Sequence, residues 1–366
     1  MSDTGTTPLA DRLKQRIAND GPITVADYMA RCLADPEHGY YMSAEPFGAS
    51  GDFITAPEVS QMFGELIGAW LLHVWTALKS PPRVHLVELG PGRGTLSRDI
   101  LRVTGLRPAF REALTLHLVE TSQRLRAVQA ETLAESGATP VWHDSLDSLP
   151  QDGPLLVVAN EFFDALPIHQ YVNTGKAWCE RCVGLDAAGD LAFVTGPGQL
   201  DIRPLPADLR NAPLGAIIET QPLSNALAET LATRIARQDG AALVIDYGTT
   251  RTAVGDTLQA VRRHAYDPVL AHPGTADLTA HVNFEALARA MQIAPLAPRG
   301  TITQGDFLLR LGLLERAGRL GAGKSPDAQE RIRGEVERLA GPEEMGTLFK
   351  VLAVARADIP LPAFDT

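Results

Sequence analysis

The chain has 366 residues, 45% of them hydrophobic and 21% charged, with a formal net charge of −11. Such a chain can bury a large core in two or three domains, and its composition is that of a globular protein. The acidic balance argues against a broad nucleic-acid face, which needs clustered Lys and Arg, though it suits a basic protein substrate. The three cysteines, Cys32, Cys179 and Cys182, form no disulfide framework. Cys179 and Cys182 have C-x-x-C spacing, but no second Cys/His pair stands near to complete a zinc site, so no metal is expected. The start, "MSDTGTTPLADRLKQRI", carries acids and no apolar signal region, and no apolar run approaches the roughly 18 residues of a membrane span. A cytoplasmic protein without a membrane span is the expectation.

Residues 1–80 read as a mostly helical region. "ITVADYMARCLAD" has the pattern of a short amphipathic helix. The loop that follows is rich in Gly, Pro and aromatics, and its Gly51–Asp52 turn makes it a candidate lid. Thr55-Ala56-Pro57-Glu58 reads as a capping box, with Thr55 as N-cap. Val59, Met62, Phe63, Leu66, Ile67, Trp70, Leu71 and Val74 then continue at helical spacing as core packing.

Residues 81–366 read as an α/β domain. Val84, Leu86, Val87 and Leu89 suit a buried parallel strand. Gly90, Gly92 and Gly94 follow, then a helical pattern from Leu96. Glycines in such a bend let the backbone approach a ligand at the positive end of a helix. Two ligands fit. One is a dinucleotide pyrophosphate, although its third glycine would fall one residue later, where Thr95 stands. The other is S-adenosylmethionine, because Glu88-Leu89-Gly90-Pro91-Gly92-Arg93-Gly94 resembles the acidic-x-G-x-G-x-G first motif of class I methyltransferases.

Most later strands run from apolar residues into an acid at or just past their ends. "LTLHLVE" ends on Glu120, within the range of about 20–30 residues expected for a ribose-binding carboxylate. Asp144 follows a short third strand and can accept an adenine amino group. "LLVVAN" ends on Asn160 and runs into Glu161, Phe162, Phe163 and Asp164, where an acceptor would meet the cofactor. "LVIDYG" is the fifth strand. Between the fourth and fifth strands, about 172–240 reads as an inserted lobe, with antiparallel strands around Ala187–Asp190 and a closing helix, "PLSNALAETLATRIARQ". After the fifth strand come helices from Asn283 and Thr303 and a last strand, "LFKVLAVAR", expected as an antiparallel edge. His38, His143, His169, His264 and His281 are scattered without metal spacing, and none is singled out.

Several long peptides together make a specific resemblance. "GDFITAPEVSQMFGELIGAW", "ELGPGRGTL", "NEFFDALPIHQY", "GDTLQAVRRH", "ADLTAHVNF", "TQGDFL" and "FKVLAVAR" resemble the MidA-like family, over about Gly21 to Arg356. The resemblance implies a Rossmann-like class I methyltransferase fold with a mostly parallel seven-stranded sheet. It also implies S-adenosylmethionine at Glu88, Gly90, Gly92, Gly94, Glu120, Asp144 and Asn160. One family member is a mitochondrial assembly factor that methylates an arginine on a subunit of respiratory complex I. A protein arginine is therefore the expected acceptor, with Glu161 and Asp164 as candidates to clamp its guanidinium. The double-glutamate hairpin of the main arginine methyltransferases is missing. A small-molecule methyltransferase and a cofactor-binding assembly chaperone are the alternatives, and a nicotinamide oxidoreductase is the distant one.

Overall fold

The computed structural model describes residues 7–43 and 55–365, so the expected Gly51–Asp52 lid lies outside the described residues. Contacts divide the chain into two compact units. The larger comprises Ile54–Phe163, Ala226–Thr250 and Phe284–Thr366, and the smaller Met1–Phe53, Asp164–Asn225 and Arg251–Asn283.

Seven strands of the larger unit are labelled in chain order: β1 Val84–Leu89, β2 Leu114–Val119, β3 Val141–His143, β4 Leu155–Asn160, β5 Gly240–Thr249, β6 Leu296–Thr303 and β7 Phe349–Arg356. They lie side by side in the order 3-2-1-4-5-7-6. Pairings β3·β2, β2·β1, β1·β4 and β4·β5 are parallel, while β5·β7 and β7·β6 are antiparallel. Every residue of β1 and β4 is buried, which explains why these strands read as nearly unbroken apolar runs.

The core of this unit is built from Phe63, Ile67, Trp70 and Val74 with Leu86, Ile100, Leu156, Val158, Leu243 and Val351. The helix Gln61–Ala77 lies close on the helix Thr95–Thr104. Gly64 permits this, since a Cβ there would stand 2.6 Å from the Asp99 Cβ.

The sheet also holds a chain of imidazoles. His85 Nδ1 lies 3.0 Å from His117 Nε2, His117 Nδ1 lies 2.9 Å from His143 Nε2, and His143 Nδ1 lies 2.9 Å from Ser148 Oγ. All three rings are buried. Burial pushes each below the usual histidine range, His117 down to about 4.

The smaller unit is built differently. Trp178–Leu185 pairs antiparallel with Ile23–Thr24, His169–Asn173 and Leu191–Gln199, and His169–Asn173 pairs with Ile217–Thr220. Gln259–Arg262 pairs antiparallel with Ala265–Asp267 and Asp277–Thr279. Tyr28, Met29 and Cys32 of the helix Val25–Ala34 pack with Leu258, Ala260 and Leu278 to form its core.

Four expectations change. The helix from Thr55 is two helices, Ala56–Val59 and Gln61–Ala77, separated at Ser60, whose Oγ caps the second by accepting from Met62 N at 3.3 Å. The capping box does not form: Thr55 makes no side-chain cap, and Glu58 accepts from Thr95 Oγ1 at 2.5 Å instead. β7 is antiparallel but internal, because β6 lies outside it. Pro298 and the bulge between Arg299 and Thr301 hid β6 from the sequence reading, and an edge strand tolerates both. Finally, contacts draw the domains differently from divisions at residue 80 and at about 172–240. The helix Gln61–Ala77 belongs with the large sheet, and the lobe strands share a core with the N-terminal helices and with residues 258–280.

Candidate functional site

The register of the large sheet brings its strand ends level. Leu89 pairs with Val119 and Ala159, Val119 with His143, and Asn160 with Ile245. The residues that follow, Gly90, Glu120, Asp144, Glu161 and Asp246, therefore line one carboxyl edge. Ligands of open α/β sheets bind outside such an edge.

The turn after β1 is made by glycine. Gly90, Gly92 and Gly94 have φ of +60°, +52° and +82°, a region L side chains rarely adopt. Gly94 is the N-cap of the helix Thr95–Thr104 and gives it no side-chain cap, so the positive end of that helix opens at the turn. Glu88 sits behind the turn, 4% exposed, and accepts a hydrogen bond from Ser97 Oγ. Burial pushes its carboxyl up to about 8. It is thus tied to the helix.

Glu120 is buried at the end of β2, and its main-chain N–H donates to His143 O at 3.0 Å. Its Oε1 accepts from Ser122 N at 2.8 Å and its Oε2 from Gln129 Nε2 at 3.2 Å. The Thr121 amide is a further partner, and a carboxylate with about four acceptor sites keeps capacity for one more donor. Burial raises the carboxyl above its usual range, and these bonds act against that rise. Asp144 is 81% exposed in its side chain and pairs with Arg126, whose guanidinium also reaches the Glu120 carbonyl.

The turn after β4 contains no glycine. Asn160 Nδ2 donates to Glu161 Oε1 at 3.1 Å, and Ala56 N donates to the same oxygen at 3.1 Å. Asn160 is 9% exposed, yet its Oδ1 has no hydrogen-bond partner among the described residues. Such an oxygen calls for a donor beyond the described residues. Glu161 has φ +50°, unusual for a residue with a side chain. The bend is held by Asp246, fully buried at the end of β5, whose Oδ2 accepts from Phe162 N at 3.2 Å and Phe163 N at 3.0 Å. Asp246 Oδ1 accepts from Tyr247 N at 3.0 Å.

Gly90, Gly92, Gly94, Glu120, Asn160 and Glu161 thus gather on one edge, with Asp144 at its rim. Asp164 belongs to the smaller unit, where it is buried and its carbonyl accepts from Ala280 N at 3.0 Å. Its charge, with that of Asp277, helps to hold the Tyr41 hydroxyl protonated, although burial is the larger cause. Sequence reasoning missed Gln129, Ser97 and the part played by Asp246. A strand-end acid was the one visible signal, at Asp246.

The edge fits S-adenosylmethionine. A helix N-terminus and side-chain-free backbone suit its methionine end, a carboxylate with acceptor capacity left suits a ribose, and Asn160 Oδ1 suits an N–H donor. The order 3-2-1-4-5-7-6, with this edge, defines a class I methyltransferase. The model of a family of S-adenosyl-L-methionine-dependent methyltransferases matches residues 66–302, and the chain belongs to that family. A crystal structure of a superfamily member from Burkholderia thailandensis, bound to S-adenosyl-homocysteine, has a TM-score of 0.83 and 32% identity, covering 98% of this chain and 94% of that one. The chain is 38% identical to the mouse "Protein arginine methyltransferase NDUFAF7, mitochondrial", over 95% of this chain and 84% of the relative. The Drosophila melanogaster homolog of that protein is 39% identical, over 96% and 86%. The protein is therefore an S-adenosylmethionine-dependent methyltransferase. The expectation of a cytoplasmic protein is overturned, because these relatives are named mitochondrial.

Proposed function

We propose that this methyltransferase modifies an arginine side chain on a protein partner. The observation that carries the reading is the likeness to proteins named arginine methyltransferases, at 38% identity over 95% of the chain. A mitochondrial setting and a respiratory complex I subunit as partner go with it.

In this reading, Gly90, Gly92 and Gly94 receive the methionine end, Glu120 takes the ribose hydroxyls and Asp144 the adenine amino group. Asn160 Oδ1 accepts from the methionine ammonium. Glu88 serves the glycine turn from behind, through Ser97. The cofactor supplies an electrophilic methyl. The chain's task is to hold the acceptor nitrogen in line with it and to exclude water. A guanidinium, with pKa above about 12, keeps its charge in water. Glu161 and Asp164 are the carboxylates that would draw that charge toward the non-reacting nitrogens. Support for Glu161 is its unusual backbone angle, a kind of strain concentrated at functional sites.

Labelled methyl transfer into mitochondrial extract, followed by mass spectrometry of the labelled protein, tests this. A methyl on arginine is expected. Glu161→Gln and Asp164→Asn should each spare S-adenosylhomocysteine binding and slow transfer by about 10²-fold or more. A methyl on lysine, a terminal amine or a metabolite refutes the acceptor. Full activity in both variants refutes the clamp.

A further inference from the structure

Gln129 is fully buried, lies on the helix Gln123–Leu133, and has every polar group engaged. Its Nε2 donates to Gly92 O at 2.8 Å and to Glu120 Oε2 at 3.2 Å, and its Oε1 accepts from Trp142 Nε1 at 2.8 Å. One primary amide thus reaches the turn after β1, the acid after β2 and the third strand. Gly94 lies against the same residue, since a Cβ there would be 3.5 Å from Gln129 Cα and Cγ.

The chemistry of the amide is specific. Both partners of Nε2 are acceptors and the partner of Oε1 is a donor that cannot accept. Only a group with two N–H on one side and an oxygen on the other satisfies all three. A carboxylate in its place would face another carboxylate and a carbonyl oxygen. An apolar side chain would leave the Trp142 N–H and the Gly92 carbonyl, both half-buried, without this bond. We propose that Gln129 is a positioning residue for the cofactor, setting the glycine turn and the Glu120 carboxylate in one fixed spacing for the nucleoside. It touches the protein's binding groups and acts through them. The inference rests on the reading of Glu120 and the glycine turn, and is independent of the methyl acceptor.

Calorimetry with S-adenosylhomocysteine on the full chain tests it, with Glu120→Ala in the same series. Gln129→Glu keeps size and shape. At pH 8.5 it should weaken binding by roughly tenfold to a hundredfold relative to the unaltered chain. Toward pH 6 the ratio should shrink, because the introduced carboxyl regains one donor once it is protonated. Gln129→Met should weaken binding similarly with no recovery at low pH. That contrast separates hydrogen-bonded positioning from mere packing, which has no such pH signature. Equal loss at every pH in a cooperatively melting Gln129→Glu overturns the proposal. So does binding within twofold of the unaltered chain in Gln129→Met, which decides the matter if the acidic variant does not fold. If Glu120→Ala itself binds normally, the reading of Glu120 fails and the inference falls with it. If Glu120→Ala is weakened while both Gln129 variants are not, Gln129 alone is wrong.

Discussion

The turns after β1 and β4 are neighbours on the carboxyl edge, with the Phe162 ring 2.9 Å from where a Cβ on Gly90 would stand. They bend for opposite reasons. The first bends because three glycines allow positive φ without steric cost. The second bends although Glu161 resists it, because a buried carboxylate on a different strand accepts the next two amides. The permissive turn is written locally, in its own glycines. The compelled turn is written at a distance, by Asp246 on another strand, and it aims Glu161 from a strained backbone.

The comparison breaks most readily at Asp246. Asp246→Ala leaves the Phe162, Phe163 and Tyr247 amides without their acceptor. Buried unpaired donors cost about 1–3 kcal/mol each, so urea unfolding should show a loss of about 3 kcal/mol or more. A variant as stable as the unaltered chain would mean that Asp246 does not compel the turn.

Glu88 tests the anchor behind the permissive turn. Its folded carboxyl lies at about 8, above the unfolded value of 4.5. The folded state therefore holds a proton that the unfolded state has released. This group's contribution is fully present below 4.5 and is lost as pH rises through about 8. Thermal melts from pH 6 to 8.5 should show the unaltered chain losing stability relative to Glu88→Gln, by about 2 kcal/mol at about 1.4 kcal/mol per unit. Parallel pH curves for the two proteins would contradict the assignment.

The two glycines sharpen the contrast within one turn. An alanine in left-handed backbone costs about 1–2 kcal/mol. Gly94→Ala meets only ordinary contacts, so it should cost about that much. Gly90→Ala adds a collision with Phe162, so it should lose more stability and bind S-adenosylhomocysteine at least several-fold more weakly. Adding Phe162→Leu should restore part of the difference in Gly90→Ala and none in Gly94→Ala. Equal effects at both positions would show that the two turns are not fitted to each other.

What the sequence made legible follows the same division. β1, β4 and β5 announce themselves as apolar runs ending in glycine or a polar residue, because strands buried on both faces leave little room for anything else. The glycine turn and Glu120 are local patterns in a known order. Gln129 gave no signal, since its partners lie on three other elements, 9, 13 and 37 residues away, and a glutamine on a helix is ordinary. Asp246 was visible as a strand-end acid, but its partners on the β4 turn depend on β4 and β5 lying side by side. The break at Ser60 was overridden in the sequence by the apolar stripe that continues across it. β6 was lost because Pro298 and a bulge argue against a strand in any position except an edge.

The histidine chain has a proton count of its own. Each neutral imidazole carries one N–H, so the ring-to-ring bonds must all point the same way. If they point toward Ser148, its hydroxyl is free to donate to the Ser145 carbonyl at 3.0 Å, but His85 Nε2 is left bare 3.4 Å from the Asp152 carboxylate. If they point toward His85, Nε2 carries a hydrogen facing the Asp152 carboxylate, 3.4 Å away, but Ser148 must turn its hydroxyl to His143 and abandon the carbonyl. A neutral chain satisfies one end at a time. One added proton would satisfy both, and burial opposes it. The line of rings across β1, β2 and β3 is therefore one hydrogen short of completion, and its polarity reverses only when all three tautomers change together.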